Sequence, residues 1–197
     1  MPAGRIDQNM YLGPFSNVEA MNATTLYKPG ELGSQIQLPN WKAYQLIQLD
    51  SGATASTSAG LPICGHLAFW KNRSTYTVTN DKAQAETPGN AAGASAVAGV
   101  FCSLTSGVAG SASITPGNFG VIQQRGTHVG ILSGLNTAAK GDQLTSDTGS
   151  GTAQAAKFTP GTAATAPIVA IAIAATGAVT STFTPCRLGG GDIVDVP

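Results

Sequence analysis

The chain is poor in charged residues. Only 10% of its 197 residues are Asp, Glu, Lys or Arg, and the ten basic residues balance the ten acidic ones, whereas soluble domains average about 25% charged residues. The basic residues are scattered, and only Lys71 and Arg73 lie close together. No cluster would neutralise a run of phosphates, so we expect no nucleic-acid partner.

Long apolar segments and paired cysteines are also scarce. The longest apolar run, residues 166–175, is interrupted by Pro167 and is half as long as the roughly 20 residues that span a bilayer. The first residues lack the apolar stretch of a signal sequence. The three cysteines are odd in number and far apart, which does not favour a disulfide framework. We expect no membrane partner and synthesis in a cytosolic compartment.

Motifs of nucleotide binding and hydrolysis are missing, including G-x-S-x-G, a phosphate loop, H-E-x-x-H and C-x-x-C. Cys64 and His66, with the distant Cys102, His128 and Cys186, are residue types that bind zinc, but zinc ligands usually come in close pairs. Cys102 and His128 would form a nucleophile and base only if the fold made them adjacent. We expect buried thiols and a surface or interface imidazole, and therefore no metal, no cofactor, no catalytic residue and no enzyme.

Two carboxylates flank a short strand-forming segment within residues 140–151. Paired carboxylates perform acid–base chemistry when their environments separate their pKa values. Asp142 follows Gly141, however, and Asp147 precedes Thr148 and Gly149, which are positions where Asp accepts hydrogen bonds from nearby backbone amides. We expect both residues to cap turns.

Small residues and uncharged polar residues dominate the composition of the chain. Ala, Gly, Ser and Thr account for 92 residues, and the surface has to be covered by Thr, Ser, Gln and Asn in place of charges. Such surfaces are common in proteins that remain inside an assembly. A secreted, Thr-rich β protein is the alternative with the same composition.

Short strand-forming segments separated by turn signals follow from residue 61 onward, and they predict an all-β fold, a small antiparallel barrel or sandwich. Residues 75–79 alternate Thr with Tyr and Val, which predicts a half-buried strand. Gly99 predicts a bulge in a strand at 97–104. Residues 115–132 predict two short strands joined by a tight turn at Arg125-Gly126. Further strands are expected at 67–70, between 140 and 151, at 168–175 with one small face of Ala, and at 183–188.

Residues 1–60 differ from the rest, and we interpret them as an extended N-terminal arm followed by a low-complexity linker at 51–60. The arm is rich in aromatic residues, unlike disordered tails, yet Gly and Pro interrupt it, and only 41–49 has the pattern of a strand. We expect it to fold against neighbouring chains; the alternative is that it wraps its own β-domain, residues 61–197. Aromatic side chains dominate interface energetics, and the expected interface residues are Tyr11, Phe15, Tyr27 and Trp41.

Three segments carry a resemblance. They are Val97 to Gly126, containing Thr-Pro-Gly-Asn-Phe-Gly-Val-Ile-Gln; residues 140–151, beginning Lys-Gly-Asp-Gln-Leu; and Ile168 to Gly190, an Ala-rich strand ending near Arg-Leu. In this order they resemble the small β-domains of tailed-phage capsid decoration, or cement, proteins. The resemblance covers roughly residues 61–189, and residues 1–60 have no counterpart in it.

The resemblance implies an all-β virion protein on the outer surface of an assembled capsid, synthesised in the host cytoplasm. It implies a homo-oligomer, commonly a trimer, that bridges major capsid proteins, and it supplies no catalytic residues. We interpret residues 1–60 as an added clamp. Two other functions remain open: a tail, baseplate or receptor-contacting virion protein, and, less favoured, a small hydrolase using Cys102 and His128.

Overall fold

The computed structural model describes residues 32–33, 35–37, 42–51, 62–86, 97–101, 116–133, 136–146, 157–161, 168–177 and 183–189. These residues form strands and turns, with a single 3₁₀ turn at Lys82–Gln84, so the all-β prediction is confirmed. The strands are β1 Gln35–Gln37, β2 Ala43–Leu49, β3 Leu67–Asn72, β4 Thr77–Thr79, β5 Val97–Phe101, β6 Phe119–Ile131, β7 Gln143–Ser146, β8 Phe158–Pro160, β9 Ala170–Ala172 and β10 Phe183–Leu188.

Five of the strands close into a barrel. They are hydrogen-bonded in the order β2, β4, β3, β5, β6, and β6 pairs again with β2. All of these pairings are antiparallel except that of β2 with β4. Closure removes the exposed edges of these strands. The barrel named among the sequence-based expectations is therefore present, with one parallel pair in it.

Strand β2 is mostly buried in the barrel, although it lies within the segment predicted to be the arm. Its sequence, AYQLIQL, has buried residues on both faces, and Tyr44, Leu46, Ile47 and Leu49 all belong to one apolar cluster. It confirms the strand expected at 41–49. Residues 35–37 and 42–51 thus belong to the sheet of the β-domain.

Strand β6 corrects one prediction. Residues 119–131 form one continuous strand, and the tight turn expected at Arg125-Gly126 is absent. Gly126 does adopt φ +93°, a conformation that favours glycine, but it produces a change of partner and no reversal. Up to Arg125 the strand pairs with β2 and β5, and from Gly126 it pairs with β10.

The second half of β6 starts a second sheet. Its strands follow the order β6, β10, β9, β7, β8, all antiparallel. An isolated parallel bridge between Leu132 and Phe158 brings β8 back to the end of β6. Strand β6 is therefore shared by the barrel and by this curled second sheet, and it holds the two together.

Two apolar clusters form the core of the described part of the chain. The first lies among the barrel strands and includes Ile47, Leu49, Phe101 and Ile122. The second takes residues from β3 and β5, such as Phe69, and packs them with residues of the second sheet. Its members are Leu67, Phe69, Val97, Val100, Leu132, Ala138, Leu144, Phe158, Val169, Ala170, Ala172, Cys186 and Leu188.

The remaining strand predictions are confirmed in part. The strand expected at 75–79 is shorter, because Tyr76 has φ +52° and belongs to the turn before β4; Thr79, expected on a polar face, is fully buried. The bulge at Gly99 is confirmed, since Gly99 pairs with Ala68 and Val97 with Phe69, which leaves one extra residue in β5. The strand expected at 168–175 is shorter, since β9 covers only Ala170–Ala172, but its small face of Ala170 and Ala172 is buried as expected.

Candidate interaction site

Residues 32–37 are fastened to the barrel. Strand β1 pairs with β2 in antiparallel register, with Gln35 opposite Gln45. Just before it, the Gly33 amide donates to the Leu46 carbonyl at 3.0 Å. We call Leu32, Gly33 and β1, together with the side chains that hold them, the clasp. It fixes the place on the barrel at which the leading 31 residues are attached.

Glutamine side chains form the polar half of the clasp. Gln35 Nε2 donates to Gln124 Oε1 at 3.3 Å, and Gln124 Nε2 donates to Gln45 Oε1 at 2.7 Å. Gln45 Nε2 in turn donates to the Gly33 carbonyl at 3.1 Å. Gln45 is buried, and a buried amide without partners is costly. The chain of amides therefore specifies how this segment is placed.

An aromatic pair forms the apolar half of the clasp. The Tyr76 ring lies over Gly33, in the space that a Cβ atom there would occupy. Trp70 meets Tyr76 edge-on, with 6.4 Å between ring centroids and 64° between the planes. Gly33 has φ +82°, so both its conformation and the close ring call for glycine. Leu32 and Trp70 also pack against the barrel cluster.

The clasp was not found from the sequence. Gln-Ile-Gln is a short pattern between Gly33 and Pro39 and gives little strand signal by itself. The run of glutamines at 35, 37, 45 and 48 was the available hint, because amides on paired strands can bond one another. The expected interface residues Tyr11, Phe15, Tyr27 and Trp41 lie outside the described residues, so their role stays a prediction.

We expect Gln124→Ala to loosen the clasp. The substitution removes the donor to buried Gln45, and an unsatisfied buried acceptor costs about 1–3 kcal/mol. Hydrogen exchange at the Gly33 amide should accelerate while the amides of β2 that bond β6 remain protected. Gln143→Ala is the matched control, because Gln143 is exposed on β7 and outside the clasp. Unchanged exchange at Gly33 in the Gln124 variant would contradict the role given to these amides.

The described cysteine residues are buried thiols. Cys64 and Cys186 are buried and form no disulfide. Burial raises the pKa of the Cys186 thiol to about 12, and the thiol donates to the His128 carbonyl at 3.4 Å. Cys102 lies outside the described residues. Within the part of the chain that the structure describes, no three His, Cys, Asp or Glu residues are grouped to hold a metal.

Asp142 caps a turn as predicted. Its carboxylate accepts a hydrogen bond from the Ala139 amide at 2.7 Å, and its own amide donates to the Ala139 carbonyl at 3.1 Å. Gly141 has φ +94° within that turn. Asp147 lies outside the described residues.

A pocket of about 20 Å³ opens beside β5, between Leu67, Val97, Gln124 and Leu188. This is room for little more than a water molecule, and its walls are mainly apolar.

No helix among the described residues has the length and hydropathy needed to cross a bilayer.

Comparisons with known proteins give little sequence similarity. No protein-family model matches the chain, and no curated protein matches it. Among solved structures, the chain is similar to the head fiber gp8.5 N base in bacteriophage phi29, with 7% sequence identity and a TM-score of 0.41 over 75% of this chain and 94% of that one.

Proposed function

We propose that this chain is a structural protein of a tailed-phage virion, which binds the outer surface of the assembled capsid and cements neighbouring major capsid proteins. The observation that carries the proposal is the clasp. It attaches a leading segment that contains Tyr11, Phe15 and Tyr27 to a defined place on a closed barrel. A segment held in this way is suited to bind a neighbouring subunit, with aromatic side chains as anchors.

The position of the resemblance within the fold supports the same proposal. The segment from Val97 to Gly126 supplies β5 and the first half of β6, and the segment from Ile168 to Gly190 supplies β9 and β10. Strand β5 and the first half of β6 belong to the barrel, β9 and β10 belong to the second sheet, and β6 pairs with β10. The residues that resemble decoration proteins thus supply strands to both sheets, while the barrel strand β2 lies in residues 1–60, which have no counterpart in the resemblance.

The mechanism of cementing follows from mass action. A protein that binds only the assembled shell stabilises it by RT ln(1 + [L]/Kd), and a homo-oligomer, which we expect to be a trimer, multiplies weak contacts. A surface with few charges loses little free energy when it is desolvated against a capsid. No catalytic step is required.

A binding assay on empty expanded shells tests the proposal. We expect the full chain to co-sediment with expanded shells and not with free capsid subunits, and we expect its mass in solution to be that of a trimer. The shells should then tolerate more heat before they break. Binding to purified tails, with none to shells, would favour the tail or receptor-contacting alternative and contradict cementing.

A deletion variant tests the part played by the leading segment. Removing residues 1–31 leaves the clasp and the ten described strands intact, so the domain should fold, and its affinity for shells should fall at least tenfold. Gln143→Ala in the full chain serves as the control for a surface change far from the clasp. Undiminished affinity of the deletion variant would show that the segment is not the anchor.

A further inference from the structure

The outer face of the second sheet presents two large apolar side chains to solvent. Ile171 in β9 is 46% exposed, and Ile173, two residues on, is 42% exposed. Ile173 stands opposite Pro185, since its amide donates to the Pro185 carbonyl at 2.8 Å. Exposed apolar residues that adjoin one another mark contact surfaces more often than isolated ones do.

Charge on this face has one sign. Ile171 lies directly opposite Arg187 on β10 and Gln143 on β7, and Arg187 lies opposite Thr127 on β6. Directly opposed residues of antiparallel strands share a face. Arg187 is the only charged residue in this row. We call the surface formed by Gln143, Ile171, Ile173, Pro185, Arg187 and Thr127 the β9–β10 face.

The chain itself contains a segment that complements this face. Residues 192–196 read Asp-Ile-Val-Asp-Val, three aliphatic residues and two carboxylates. They follow β10 after Gly189, Gly190 and Gly191, and glycine permits the conformations that a reversal of the chain needs. We propose that residues 192–196 cover the β9–β10 face of their own chain.

Chain length and strand order favour this placement. Strand β10 has β6 on one side and β9 on the other, so it offers the segment no open edge to extend. From Leu188 back to Pro185 is three residues, about 10 Å along a strand. Five extended residues span about 17 Å. If the chain reverses at the glycines, residues 192–196 are long enough to reach Arg187, Ile171 and Ile173.

Disulfide trapping in the full chain tests the placement. Ile171→Cys is combined in turn with Ile193→Cys, Val194→Cys and Val196→Cys, because a disulfide forms only where Cα atoms come within about 4.4–6.8 Å. We expect mild oxidation to give an intramolecular disulfide, at the mass of one chain, in at least one pair. The matched control is Thr75→Cys, an exposed residue of the turn after β3, with the same partners. Yields equal to the control, or disulfides mainly between two chains, would overturn the proposal.

Removal of the segment gives a second, independent readout. A chain ending at Gly189 should bind an apolar fluorescent dye several-fold more strongly than the full chain. Ile171→Thr with Ile173→Thr in that shortened chain should return dye binding to the level of the full chain. Equal dye binding by the shortened and full chains would contradict the proposal. These tests do not depend on the function proposed above.

Discussion

Phe158→Ala should lower the free energy of unfolding by about 3–5 kcal/mol, the range for large core aromatic residues. The Phe158 side chain is fully buried in the second cluster. Its backbone carbonyl accepts from the Ser133 amide at 2.7 Å, and the residue forms the bridge to Leu132 that returns β8 to β6. The cavity left by the ring would lie where the second sheet closes, a place that can collapse only if this bridge moves. Urea unfolding of the two chains measures the difference.

A matched aromatic control separates this effect from the loss of any phenyl group. Phe183 begins β10 and is only partly buried. We expect Phe183→Ala to cost clearly less than Phe158→Ala, because less apolar area leaves water when Phe183 folds. Equal losses would mean that the closure of the second sheet does not depend on the Phe158 ring.

Gly130 provides a second test of the same contact. The Phe158 ring occupies the space of a Gly130 Cβ atom, so Gly130→Ala in the parent chain should destabilise by about 1–3 kcal/mol through overpacking. In a chain that already carries Phe158→Ala, the added methyl group enters the cavity and should cost much less. The difference is a coupling free energy of the kind that contacting residues show. Strictly additive losses would rule out the contact.

Local pattern was enough to predict some of these elements. Strand β10 was expected at 183–188 and occupies those residues, because Thr184, Cys186 and Leu188 alternate as its buried side. The small face of β9 was also visible in the sequence. In both strands one face is buried and the other is not. The alternation of residue types along the segment therefore predicts the strand by itself.

The change of strand partner at Gly126 could not be predicted from the local sequence pattern. Its positive φ was foreseeable, but a hairpin and a change of partner call for the same glycine. Gln123 favours the continuous strand over the hairpin. Its buried side chain donates from Nε2 to the carbonyls of Arg125 and Thr127, each at 2.9 Å. These two hydrogen bonds, to the residues on either side of Gly126, keep the strand continuous through it. It depends on tertiary burial of Gln123, which periodicity does not report.

The clasp was missed for a related reason. Strand β1 has three residues, and its placement depends on Gln45 and Gln124, ten and 89 positions away from Gln35. The position of a short edge strand such as β1 depends on the residues it pairs with, and its own sequence gives little indication of that position. The candidate site could therefore be anticipated only as an aromatic-rich arm without a point of attachment.

His66 predicts a marked dependence of stability on pH. It sits in a turn whose Gly65 amide donates to the Phe101 carbonyl, while the Ile131 amide donates to the Gly65 carbonyl. The turn therefore joins β5 and β6. His66 Nδ1 accepts from the Ile63 amide at 3.4 Å, which requires the neutral ring. Burial, and then the positive charge of Lys157, lower the pKa of His66 from 6.5 to about 4.

The sign of the effect follows from proton binding. Between pH 6.5 and about 4 the unfolded chain binds a proton at residue 66 that the folded chain does not bind, so folding stability rises with pH across this window. The contribution is fully present above pH 6.5 and is lost as the pH falls toward 4. The difference of the two pKa values corresponds to about 3 kcal/mol, an order-of-magnitude figure.

Urea unfolding at pH 7 and pH 4.5 measures this loss, and His66→Gln isolates it. The variant keeps His128 and every carboxylate, so their titration contributes equally to both chains and cancels in the comparison. We expect the parent chain to lose about 2–3 kcal/mol more than the variant between these pH values. In Lys157→Met the like charge is gone, the pKa of His66 rises toward its ordinary value, and the loss should shrink. A parent chain whose pH dependence matches that of His66→Gln would show that the ring is protonated as easily in the fold as in water, and the buried turn could not then be holding it neutral.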